Sequence, residues 1–100
     1  MNTSNRILVF GSEQQLTDLV TRNLEAAGYI VTATLDAGVA IDLAGNSDYE
    51  ALLIGGEVPL PDRRYVTTKS REASPSLAVV VVHSPESVLT QLRQAGITIT

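Results

Sequence analysis

The chain has 100 residues, seven basic and eleven acidic side chains, and a net charge of −4. Its 44% apolar and 18% charged content is that of an ordinary single globular domain. The absence of cysteine removes disulfide scaffolds, thiolate metal sites and cysteine nucleophiles; the single histidine, His83, removes chemistry that needs two imidazoles; and the acidic balance argues against nucleic acid as a partner.

The opening residues, MNTSNR, are polar and carry no secretory signal pattern. The first strand is expected at 7–10, ILVF, a short and wholly apolar run. A helix is expected over 13–27. Leu16, Leu19, Val20, Leu24 and Ala27 share one face, and Ser12 with Gln15 has the spacing of a capping box. Gly28 stands where a helix-ending glycine belongs. The second strand is YIVTATL at 29–35, rich in β-branched residues. A second helix over 36–45 starts at the cap Asp36, buries Ala37, Ala40, Ile41 and Ala44, and ends at Gly45-Asn46-Ser47.

ALLI at 51–54 forms the third strand, followed by the loop VPLPD at 58–62. A weakly patterned helix over 62–72 has only Tyr65 and Val66 as large apolar groups. The fourth strand is AVVVV at 78–82; Ser84 and Pro85 then open a helix that buries Val88, Leu89 and Leu92 and stops at Gly96. ITIT at 97–100 reads as a fifth strand. Continuous apolar strands alternating with helices predict one three-layer α/β domain over 1–100, built on a parallel sheet with right-handed crossovers. No apolar run approaches the roughly 18 residues that a membrane span needs. A cytoplasmic address is the expectation.

In such a sheet ligands bind beyond the carboxyl ends of the strands. The residues there are Gly11, Ser12 and Glu13 after the first strand, Gly55, Gly56 and Glu57 after the third, and His83 and Ser84 after the fourth. GSEQQL supplies only the first glycine of a dinucleotide fingerprint, although Asp36 lies where a ribose-binding acid belongs. Ser12 reads either as a helix cap or as part of a phosphate-binding turn. Gly55-Gly56 reads either as a tight turn or close backbone approach, or as a place where a ligand meets bare backbone. Glu13, Glu57 and Asp62 are an oxygen set suited to a divalent cation if they converge. His83 reads as a structural histidine or as a pH-sensitive contact. Arg63, Arg64, Lys69 and Arg71 fall within nine residues that contain no acid, the best candidate contact patch for an acidic partner.

In order, these segments resemble the response-regulator receiver domain, the flavodoxin-like module of two-component signalling. ILVFGSE at 7–13 is similar to the family's opening strand and acidic turn, DAGVAIDLA at 36–44 to its second helix, and YEALLIGGEVPLPD at 49–62 to its third strand and following loop. AVVVVHS at 78–84 is similar to its fourth strand, and QAGI at 94–97 to the step before its fifth. The resemblance implies a five-stranded parallel sheet in the order 2-1-3-4-5, with the 78–82 strand inside it.

The departures fall on the family's working residues. Gly11 and Ser12 stand at its metal-binding acid pair, Gly55 at its phosphoacceptor aspartate and His83 at its switch threonine or serine. Its lysine would fall beyond residue 100, and its fifth helix is absent from the sequence. The expectation is a pseudo-receiver: a non-catalytic, unphosphorylated regulatory module with no cofactor and no metal, bound to a protein partner. The alternative is a small-ligand or nucleotide-binding Rossmann-like domain that uses the Gly11 and Gly55 turns. In the receiver fold the first and fifth helices cover one sheet face. A missing fifth helix is therefore expected to leave apolar sheet bare, including Ile97 and Ile99, and to drive a homodimer through it.

Overall fold

The computed structural model describes residues 5–46 and 48–97. The strands are β1 (Arg6–Phe10), β2 (Ile30–Thr34), β3 (Ala51–Gly55) and β4 (Ala78–Val82). The helices are α1 (Gln14–Ala26), α2 (Ala37–Asn46), α3 (Leu60–Ala73) and α4 (Val88–Gln94), the last entered through a 3₁₀ turn at Pro85–Ser87. All three strand pairings are parallel, and the order is β2-β1-β3-β4. Ile7 registers with Val31 and Ala51, and Leu53 with Val80.

Local chemistry accounts for the boundaries. Gly28 and Gly96 take positive φ, 99° and 83°, so that the chain turns back on the helix it has left. Tyr29 N–H then donates to the Leu24 carbonyl at 3.1 Å, and Ile97 N–H to the Leu92 carbonyl at 2.9 Å. Asp36 caps α2 by accepting the Val39 amide at 3.0 Å. The weakly patterned α3 runs from Leu60 to Ala73, two residues earlier than the expected start, with a proline and Asp62 in its first turn and Arg71 in its last. The cap of α1 is Glu13, not Ser12: its Oε2 accepts the Leu16 amide at 2.8 Å.

Two apolar layers enclose the sheet. On one face Ile7, Val9, Ala51, Leu53 and Val82 pack against Val20 and Leu24 of α1 and Val88 and Leu92 of α4. On the other Leu8, Phe10, Leu52 and Ile54 pack against Ala40 and Ala44 of α2 and Val66 of α3. The central strands β1 and β3 are almost wholly buried, as their unbroken apolar runs require.

Two expectations are corrected. The sheet has four strands among the described residues, not five, and within them β4 is paired on one side only. Ile97 is buried but lies outside any strand, and residues 98–100 of the expected fifth strand lie outside the described residues. The face expected to be bare is also covered. Helix α4 packs beside α1, where the receiver places its fifth helix; Val82, Leu92 and Ile97 are buried in that layer, and the partly buried Val80 packs against it. A homodimer through that face loses its basis; Ile99 lies outside the described residues.

Tyr29, 8% exposed, has its phenol pKa raised above the ordinary 10.0, first by burial and then by the nearby Glu50 carboxylate. The fold therefore favours the protonated phenol. That contribution is fully present below pH 10 and is lost as pH rises through the higher folded value. Denaturant titrations above pH 9 should show a steeper alkaline loss of stability for the wild type than for Tyr29→Phe; parallel curves would contradict the assignment.

Candidate functional site

The carboxyl ends of β1, β3 and β4 converge on the loops 11–13, 55–58 and 83–84. Gly11 continues β1 by donating its amide to the Thr34 carbonyl at 3.1 Å. The chain then turns into α1, whose first amides have no partner within the helix. Across the sheet, Val58 N–H donates to the Gly55 carbonyl at 3.0 Å and closes a tight turn. That turn aims the Glu57 side chain back over the end of β3. Glu57 Oε2 accepts the Ser12 amide at 2.9 Å and the Glu13 amide at 3.3 Å. A carboxylate suits this place, because the amino end of a helix carries partial positive charge.

The glycines are explained by close approach. A Cβ built on Gly55 lies 2.7 Å from Glu57 Oε2 and 2.8 Å from its Cδ, inside van der Waals contact. A Cβ on Gly56 would meet the Val82 carbonyl at 2.6 Å. A Cβ on Gly11 would collide with the Thr17 hydroxyl and come within 3.2 Å of Glu57 Oε2. Neither Gly55 nor Gly56 uses positive φ. Their lack of a side chain makes room for the Glu57 carboxylate and for the neighbouring strand. The space left between Gly11, Thr17, Gly55 and Glu57 is about 10 Å³, room for no more than one water.

Beside this filled spot lies an open cleft of about 360 Å³. Leu16 and Val20 of α1, Glu57, His83, Pro85 and Glu86 are among the residues that line it. The His83 side chain is exposed, while its amide donates to Gln91 Oε1 at 2.8 Å. Gln91 was not singled out in the sequence. Its Nε2 also donates to the Val81 carbonyl at 2.6 Å, so one side chain takes both backbone groups flanking Val82.

Glu13, Glu57 and Asp62 do not converge. Glu13 caps α1, Glu57 binds the two amides and Asp62 sits in the first turn of α3. Among the described residues no group of three His, Cys, Asp or Glu side chains has metal-holding geometry. The basic run on α3 is divided by helical periodicity. Arg64 and Arg71, seven residues apart, are exposed on one stripe. Lys69 is turned away from them and pairs with Glu72 at 3.7 Å. Arg63 is half-buried, its Nε without a partner among the described residues. No described helix is long and apolar enough to cross a membrane.

No family model and no curated protein matches the sequence. Among solved structures, the chain is similar to the adenylate cyclase from Rhodopirellula baltica. The TM-score is 0.70 at 20% identity, over 94% of this chain and 70% of that one. At that identity the similarity establishes the architecture alone, a parallel α/β sheet with helices on both faces, compatible with a flavodoxin-like fold.

Proposed function

We propose that the chain is a receiver-like module that works by binding another protein in the cytoplasm, with no phosphoryl switch and no catalysis of its own. The observation that carries this reading is the Glu57 carboxylate on the Ser12 and Glu13 amides, beside a residue with no side chain to phosphorylate. A receiver needs a carboxylate nucleophile at the end of β3 and acids at the end of β1 to hold magnesium. Here Gly55 offers no nucleophile, Gly11 and Ser12 offer no anionic ligand, and a resident anion occupies the helix end. The exposed Arg64 and Arg71 stripe is a candidate contact for an acidic partner.

Acetyl phosphate or beryllofluoride with magnesium is expected to leave the intact mass and the amide spectrum unchanged. A phosphate-sized mass gain labile to hydroxylamine would overturn the reading.

The open cleft supports a second reading, a small-ligand or nucleotide site, since about 360 Å³ lies within the ordinary range for such pockets. Against a phosphate-bearing ligand stand two carboxylates in the lining, Glu57, already on the α1 amides, and Glu86. Similarity to an adenylate cyclase at 20% identity supports the fold and not an activity. A thermal-shift series with nucleotides separates the two readings, because a ligand at 100 times its dissociation constant adds about 2.7 kcal/mol.

A further inference from the structure

We propose that the open cleft bordered by α1 and the Pro85–Ser87 turn binds an organic cation, an ammonium or guanidinium group on a short apolar stem, a proposal that rests on the small-ligand reading of that cleft.

The cleft encloses about 360 Å³, at the small end of the ordinary range for ligand pockets. Its apolar lining comes from Leu16, Val20, Val82 and Pro85. Val20 and Val82 also belong to the core layer under α1 and α4, which fixes their positions. Two carboxylates, Glu57 and Glu86, share the lining, and among the described residues no lysine or arginine does. Glu57 Oε2 serves the Ser12 and Glu13 amides, while Oε1 has no hydrogen-bond partner among the described residues. The amino end of α1 offsets Glu57 by roughly half a positive charge. Together with Glu86, that leaves on the order of one and a half negative charges bordering an apolar space. The exposed His83 adds an imidazole, which when neutral can accept a hydrogen bond from an N–H.

Glu86 is exposed, but the turn that carries it is tied down. Asn23 Nδ2 donates to the Pro85 carbonyl at 2.8 Å, and the Ser84 amide donates to Ser87 Oγ at 3.2 Å in a reciprocal capping box. A carboxylate on a pinned turn loses less freedom on binding than one on a loose loop. An anion in this space would lie near two carboxylates. A wholly apolar ligand would take water from them and give nothing back. A cation on an apolar stem suits both parts of the lining.

The test is a titration of the amide spectrum at low salt with phenethylammonium, 2-phenylethanol and 3-phenylpropionate, which share one apolar body and differ in charge. Phenethylammonium is expected to move the Leu16, Gly56 and His83 amides along saturable curves. An exposed ion pair changes affinity only a few-fold, so with two carboxylates the alcohol should bind about tenfold weaker, and the carboxylate probe weaker still. Glu86→Gln should weaken the cation about threefold and leave the alcohol unchanged. Glu25→Gln, at an exposed position outside the lining, should change neither. N-acetyl-arginine methylamide separates the two sources of such a cation. Tighter binding than phenethylammonium assigns the cleft to an arginine side chain of a protein partner, and weaker binding to a free amine. Equal affinity for the alcohol or the carboxylate probe, or a cation affinity indifferent to Glu86→Gln, would overturn the proposal and leave the cleft a ligand site. No saturable shift with any probe up to about 20 mM, a range natural to ligands so small, would overturn the small-ligand reading with it.

Discussion

Truncating Leu53 to alanine should cost about 2–5 kcal/mol, a large part of the roughly 5–15 kcal/mol that holds a domain of this size together. Leu53 is fully buried in the middle of β3, registered between Val9 of β1 and Val80 of β4. It belongs to the layer enclosed by α1 and α4. A hole there is bordered by two strands and two helices, none of which can collapse inward without breaking ladder bonds. At about 4–8 °C per kcal/mol for a chain of this length, the midpoint should fall on the order of 15 °C. Ile30→Ala is the control. Ile30 is 58% exposed on the edge strand β2, so its loss should stay within about 0.5 kcal/mol. Equal effects at the two positions would mean that the α1–α4 layer is not the closed core described above.

Placing an aspartate at Gly55, where the proposed receiver-like reading would put a phosphoacceptor, should damage the protein rather than give it an activity. In Gly55→Asp the new Cβ falls 2.8 Å from the Glu57 Cδ, and the added carboxylate faces the one already present. Glu57 must leave the Ser12 and Glu13 amides. Overpacking costs about 1–3 kcal/mol, and losing charge-assisted hydrogen bonds about 1.5–3 kcal/mol, so a fall of about 2.5–6 kcal/mol is expected in urea unfolding. Glu57→Gly in the same chain removes the obstacle, and the double variant should recover more than about 1 kcal/mol of that loss, the coupling expected of residues in contact. Strictly additive effects would show that the two positions do not share one space.

The parts of this fold that were legible are those fixed by neighbours in sequence. Gly28, Asp36 and Gly96 mark helix ends through bonds spanning only a few residues, and the runs at 7–10 and 51–54 are apolar enough to demand burial on both faces. The side on which α4 packs was not legible. Val79 and Val81 are as apolar as Val80 and Val82, so the pattern of β4 names no preferred face. The handedness rule fixes a helix's side only when a following strand closes the crossover. The cap of α1 was misplaced for a different reason. Ser12 has the right chemistry, but its amide and that of Glu13 are claimed by Glu57, more than forty residues further on. One signal did lie in the sequence: an acid directly after two glycines at a strand end, where missing side chains leave room for a neighbour's carboxylate. Gln91 gave no such signal, since a polar residue on a short helix ordinarily faces water.

The Glu57 contact also sets how this end of the sheet meets anions in solution. A ligand tethered two residues from Gly55 competes as an intramolecular group, with an effective concentration of at least about millimolar. Free phosphate must displace it while bringing its own negative charge towards a protein of net charge −4. Two amides that would otherwise meet every passing anion are thus occupied from within by one carboxylate oxygen, and free phosphate reaches them only where it outcompetes that tethered group.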